Sequence, residues 1–256
     1  MRPMWYLCVT HGGSPGGRHS RPYGIRDDMI RNVFSLLLLW TLIPCVQGQT
    51  PQQWRDSLAV LNRQIDEQPR STDLRLRKAA VNIELGQWEY AVEEYGNVLR
   101  IDPENLAALY YRAYGNTHLR QYQLARNDYQ TFLQLSPLHM EARLGLAMVN
   151  EKMGRRTDAL DQYNQLVEMF RDSAVCYAAR AAFEMTINQT ETALYDWGEA
   201  IRLEPRNTDY VVTKVDLLMK LNRWKEAREE LEKALQRGVP RGVLKEWFDK
   251  FPKATR

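Results

Sequence analysis

Downstream of position 48 the side chains capable of metal or nucleophile chemistry are few: two histidines, His118 and His139, and one cysteine, Cys176. The histidines are too far apart to share one helix face, and no paired cysteines accompany them, so the ligand set of a zinc or iron site is not assembled. Cys176 has no base at catalytic spacing and reads as a buried thiol. The acid pairs Glu93-Glu94 and Glu229-Glu230 are expected on the outer polar faces of helices, as solvated charges rather than a glycosidase dyad. No G-x-S-x-G elbow or Walker-type loop occurs, and the run Gly12-Gly13-Ser14-Pro15-Gly16-Gly17 follows no strand. Asn188-Gln189-Thr190 fits the N-glycosylation pattern and falls in an expected turn. These readings point away from an enzyme and call for no metal and no cofactor.

Charge narrows the field further. The chain of 256 residues carries a formal charge of +3, but five Arg and two Asp lie within the first 48 residues, leaving 30 basic and 30 acidic residues beyond them. A balanced remainder offers no field to draw nucleic acid or an anionic membrane. Cys8 and Cys45 lie in the same leading stretch, so Cys176 would have no disulfide partner if that stretch is removed.

The leading stretch reads as an address. Residues 1–28 are rich in Gly, Pro, Arg and Ser without hydrophobic period, which predicts a disordered leader or a mis-called start. Met29 opens a better-formed segment: Arg31 supplies a positive region, Val33 to Ile43 an apolar run, and Val46-Gln47-Gly48 the residues before a cleavage near Gly48. Residues 29–48 therefore predict a secretory signal peptide, its apolar run being too short for a comfortable membrane span. The alternative is Leu42-Ile43-Pro44-Cys45 as a lipoprotein box with a lipid anchor at Cys45, from which Pro44 departs.

Beyond the address, small side chains return in phase. Ala91, Ala125, Ala159, Ala193 and Ala227 are each 34 residues apart, and four residues later stand Tyr95, Tyr129, Tyr163, Trp197 and Leu231. A second column holds Ala79, Ala113, Ala147, Ala181 and Val215, and prolines recur at Pro69, Pro103, Pro137 and Pro205. Between the columns, Gly86, Gly154, Asn188 and Asn222 mark turns that tolerate a left-handed residue; Arg120 breaks that series and predicts a strained turn. Arg171 replaces the proline of the third linker, which predicts a weaker helix stop.

A small residue in each of two helices, an aromatic on the second and a proline after it, at a period of 34, resemble the tetratricopeptide repeat. The resemblance implies an all-α fold, a right-handed superhelical solenoid of helix-turn-helix units. It sets a half-repeat at 52–69, five units at 72–241 (72–105, 106–139, 140–173, 174–207 and 208–241), and a capping helix at 242–251. Val243, Leu244, Trp247, Phe248 and Phe251 form the apolar stripe of that last helix, which would cover the end of an open stack.

The resemblance further implies that the first helices line a concave groove, with Leu76, Ala80, Ile83, Tyr110, Tyr114, Thr117, Leu144, Met148 and Glu151 on it. Further along it would run past Ala178, Ala182, Met185, Val212, Asp216 and Met219. Methionine and tyrosine suit an extended or helical peptide. The positions at which some relatives hold a partner's C-terminal carboxylate carry Leu76, Ala80, Tyr110, Tyr114, Leu144 and Met148 here, so that clamp is not supported. The expected function is an exported, non-catalytic scaffold for a protein or peptide partner in a bacterial periplasm or envelope. The alternatives are a lipid-anchored assembly factor of outer-membrane or surface machinery and, from another class, an RNA-binding helical repeat.

Overall fold

The computed structural model describes residues 50–251. The leader, the signal segment and the lipid-anchor candidate Cys45 lie outside the described residues. Among the described residues there are twelve α-helices and no strand: α1 (Pro51–Glu67), α2 (Thr72–Glu84), α3 (Trp88–Ile101), α4 (Leu106–His118), α5 (Tyr122–Leu135), α6 (Met140–Lys152), α7 (Arg156–Met169), α8 (Ala174–Thr186), α9 (Thr190–Leu203), α10 (Thr208–Lys220), α11 (Trp224–Gln236) and α12 (Arg241–Asp249). The first helix of a pair begins at 72, 106, 140, 174 and 208, an interval of 34 residues. The fold class is an all-α helical-repeat solenoid.

Two different devices start the helices. The Thr50 hydroxyl accepts from the Gln53 amide while Gln53 reaches back to Thr50 N–H, a complete capping box on α1. Ser71, Asn105 and Asn207 cap α2, α4 and α10 through their side-chain oxygens, and His139 Nδ1 accepts from Ala142 N–H to cap α6. The second helices α3, α5, α9 and α11 have no side-chain cap hydrogen bond. They are set instead by the turn before them. A residue at positive φ (Gly86 +69°, Arg120 +57°, Gly154 +72°, Asn188 +61°, Asn222 +59°) folds the chain back. The next N–H then donates to a carbonyl five residues earlier, as Gln87 does to Asn82 (2.8 Å) and Gln121 to Asn116 (2.8 Å). Arg120 adopts the left-handed conformation although it is not a glycine, so the turn carries the strain its side chain predicts.

The described residues divide within α7 into two compact units, 50–159 and 160–251. In the first, each helix from α1 to α5 packs on its successor, and α4 also lies against both α2 and α6. In the second, α8 to α11 pack in the same sequential way and α12 closes on α10 and α11. The repeat alanines (Ala79, Ala91, Ala113, Ala125, Ala147, Ala159, Ala181, Ala193 and Ala227) have no exposed surface, and Tyr95, Tyr129, Tyr163 and Trp197 are buried. One approach is closer than alanine allows. The Tyr129 ring comes within 2.6 Å of where a Cβ on Gly145 would stand, so α5 and α6 fit together only because residue 145 lacks one.

Two expectations need correction here. The third linker lacks proline, yet α7 stops at Met169, and the Arg171 Nε donates to the Glu168 carbonyl at 3.3 Å, occupying a helix-end acceptor. On α12, Leu244 and Phe251 are buried and Trp247 and Phe248 pack against the same core, but Val243 is exposed. Among the described residues no helix is long and apolar enough to cross a membrane.

Candidate functional site

The side chains with unusual chemistry stand on the two facing sides of four of the five hairpins. A basic residue on the first helix meets an acid sixteen residues later on the second. Lys78 Nζ lies 2.8 Å from Glu94, Arg112 bonds Asp128 through two nitrogens (2.6 and 2.8 Å), Arg180 bonds Asp196 likewise (2.6 and 2.8 Å), and Lys214 Nζ lies 3.1 Å from Glu230. All four acids are buried. Glu94 and Glu230 are therefore not the solvated outer charges their sequence context suggests; Glu93 and Glu229 are exposed. Burial would raise the carboxyl pKa of Glu94, but hydrogen bonds from Lys78, Asn97 and Arg75 outweigh it and hold the group below its ordinary value. Glu230 is held down in the same way by Lys214 and Arg237 against the opposing effect of burial. These acids are neutralised and structural, which leaves them poorly placed to act as acids or bases. The signal was present in the sequence as a basic column sixteen residues ahead of an acidic one, at the period of the repeat. The third unit departs from it, with Leu146 and Gln162 in those positions.

A second polar column recurs at the same period. Asn82, Asn116, Asn150 and Glu184 occupy equivalent positions and all are buried. The Glu184 carboxyl, buried beside Asp196, is pushed up to about 7, burial contributing most and the Asp196 charge next, with Arg180 opposing.

The residues expected on the groove divide in two. In the first unit Ala80 is exposed, and Leu76, Ile83, Tyr110, Thr117, Met148 and Glu151 are half-buried; in the second, Ala182, Met185, Val212 and Asp216 are half-buried. Tyr114, Leu144, Ala178 and Met219 are instead core side chains. Tyr114 sits edge-on to both Trp88 and His118, whose rings stack at 3.9 Å, and the proximity of α3 to α4 is what buries it. Tyr110 joins a cluster with Tyr111, Tyr129, Phe132 and His139 and keeps one side uncovered. Met185 accepts the Trp197 indole N–H at 3.4 Å, so its sulfur is engaged in the hairpin. Cys176 is buried. Among the described residues no group of three His, Cys, Asp or Glu side chains could hold a metal ion.

This arrangement of stacked helical hairpins is similar to that of tetratricopeptide repeat proteins. Residues 118–174 match the family model described as tetratricopeptide repeat. A tetratricopeptide repeat protein from Parabacteroides merdae is similar in structure, with 22% identity, a TM-score of 0.57, and coverage of 77% of each chain. MamA from Desulfovibrio magneticus is 20% identical over 64% of this chain and 93% of its own, with a TM-score of 0.57. YrrB, described as a tetratricopeptide protein with an unusual peptide-binding site, is 15% identical over 74% of this chain and 97% of its own, with a TM-score of 0.53. Among curated proteins, the DnaJ homolog subfamily C member 7 homolog of Dictyostelium discoideum is 23% identical over 204 residues. That is 73% of this chain but 38% of the relative, so the chain spans well under half the length of the curated relative it matches. Together these likenesses support an all-α repeat solenoid similar to those of tetratricopeptide repeat proteins.

Proposed function

We propose that this chain is a non-catalytic scaffold that binds another polypeptide on the first-helix face of its first unit. The observation that carries the reading is the row of partly uncovered apolar side chains Leu76, Ile83, Tyr110 and Met148 on the adjacent helices α2, α4 and α6, with exposed Ala80 among them. Such a row gives contact area without charge, and a peptide laid along it would bury more. The buried acids are held by bases and the aromatic rings by one another, an economy of packing rather than of catalysis. The peptide-binding description of a structurally similar protein supports the same reading. The signal-like segment at 29–48 extends it: the scaffold works after export, in a bacterial periplasm or envelope.

The test places a charge on the face without touching the core. Ala80→Glu and Met148→Glu should each abolish capture of the native envelope partner by the purified chain while leaving the thermal melt unchanged. Retained capture with both variants would sink the reading. An RNA partner would show instead as binding that collapses steeply with added salt.

A further inference from the structure

Between α1, α2 and α3 lies a cavity of about 370 Å³, lined by Leu58 and Asn62 of α1, Lys78 and Asn82 of α2, and Tyr90, Glu93 and Glu94 of α3. Asn82 is 2% exposed, and its Nδ2 has no hydrogen-bond partner among the described residues. An unpaired buried amide is costly, so a polar group missing from this site would be well received.

The repeat itself shows what such a group looks like. Two units further along, at a separation of 68 residues, Arg126 stands in the position of Leu58, Gln130 in that of Asn62, and Asn150 in that of Asn82. There the Arg126 guanidinium donates through Nε to Asn150 Oδ1 at 3.0 Å and through Nη1 to Gln130 Oε1 at 3.3 Å. The same pair of carboxamides thus grips an arginine supplied by the chain in one unit and stands before an open cavity in the other. A half-turn of the Asn82 amide presents either its oxygen or its nitrogen to an occupant.

We propose that this cavity receives the guanidinium of an arginine on a partner polypeptide, taking the place that Arg126 fills in the third unit. Two further lining residues suit that guest, of which the Tyr90 ring alone is absent from the self-filled unit. Glu93 is an exposed carboxylate where the third unit has Asp161, and the Tyr90 ring, 61% exposed, stands where the third unit has Asp158. A carboxylate pairs with guanidinium in a planar fork, and an aromatic face takes its cationic plane. Lys78 opposes a cation, but it is spent on Glu94 at 2.8 Å, and Arg75 shares the same carboxylate. The proposal rests on the polypeptide-binding reading above and adds a second contact to it, on a different set of residues.

The test uses the ¹⁵N-labelled full chain titrated with acetyl-Gly-Arg-Gly-amide and with its lysine and citrulline counterparts. The arginine peptide should shift the Asn82 and Asn62 side-chain amides, and the neutral citrulline isostere should bind about tenfold more weakly. Leu58→Arg should fill the cavity from within, abolish the arginine response and leave the melting temperature no lower. If that variant misfolds, Asn82→Leu, which removes the grip without adding a charge, carries the same expectation. Equal response to arginine and citrulline, or an undiminished arginine response in the cavity-filled or Asn82→Leu chain, overturns the proposal. Partner capture lost in Ala80→Glu but undisturbed by Leu58→Arg would overturn the arginine site while leaving the scaffold reading standing.

Discussion

A carboxylate that folding removes from water must be neutralised where it lands, and in four of the five hairpins the chain supplies the base sixteen residues ahead of the acid. The tightest case is Arg180 with Asp196, the acid 1% exposed as a side chain and the guanidinium bonded also to Asn164. Replacing one partner strands the other. Arg180→Leu should lower the unfolding free energy by about 3–5 kcal/mol. The third unit removes the charge, with Leu146 and Gln162 at those positions, but leaves the Gln162 Oε1 buried without a hydrogen-bond partner among the described residues, so Arg180→Leu combined with Asp196→Gln should recover part of the loss in denaturant melts. Glu184 poses a different residue problem, being a buried acid where the other units have a neutral carboxamide or, in the last, Leu218. Its folded pKa is raised from 4.5 to about 7 by burial, then by Asp196, against the pull of Arg180. A raised acid binds its proton more tightly folded than unfolded, so the native state is favoured below 4.5. That advantage is lost as pH climbs from there to about 7. Glu184→Gln should therefore match the parent's melting temperature near about pH 4 and exceed it near about pH 8, a gap that thermal melts across the window would read.

At the level of helices and turns, much was legible in the sequence because packing leaves periodic traces. Alanine at Ala79 and Ala91 and an aromatic at Tyr95 can be read at a fixed step, since two helices in contact tolerate only small residues at their crossing and need bulk beside it. The ion pairs were less visible, because charge at Glu94 or Glu230 is ordinarily a solvent signal and its partner lies on the other helix. The split of the inner face between core and surface was not visible either. Tyr110 and Tyr114 are both tyrosines one turn apart on α4, and only the proximity of Trp88 and His118 decides that the second is covered. Turns were legible through their left-handed residues, and Arg120 is the exception that can be tested. It holds φ +57° where two sister turns use glycine. Arg120→Gly removes the Cβ penalty of about 1–2 kcal/mol, less the extra entropy that glycine gives the unfolded chain, so a net gain of about 0.5–1 kcal/mol is expected in chemical denaturation. The same change at a right-handed helical position would destabilise, which makes Arg63→Gly at an exposed site on α1 a suitable control.

Taken as a whole chain, a stack of hairpins differs from a globule in that each pair is held by its neighbours, so damage at one end should stay local. The last pair of the second unit has no following hairpin among the described residues, and α12 stands in that place. Leu244 is fully buried, Phe251 meets Trp224 edge-on at 6.0 Å, and the Arg228 guanidinium lies 4.5 Å over the Phe251 ring. Burying a leucine and a phenylalanine is worth roughly 3–6 kcal/mol together. Ending the chain after Pro240 should cost the second unit about that much and bare the apolar sides of α10 and α11. Hydrogen exchange would then quicken in α10 and α11, while the amides of α2 to α5 in the first unit keep their protection. Equal loss of protection in both units would mean that the hairpins unfold as one cooperative body, and the nearest-neighbour account of this chain would fail with it.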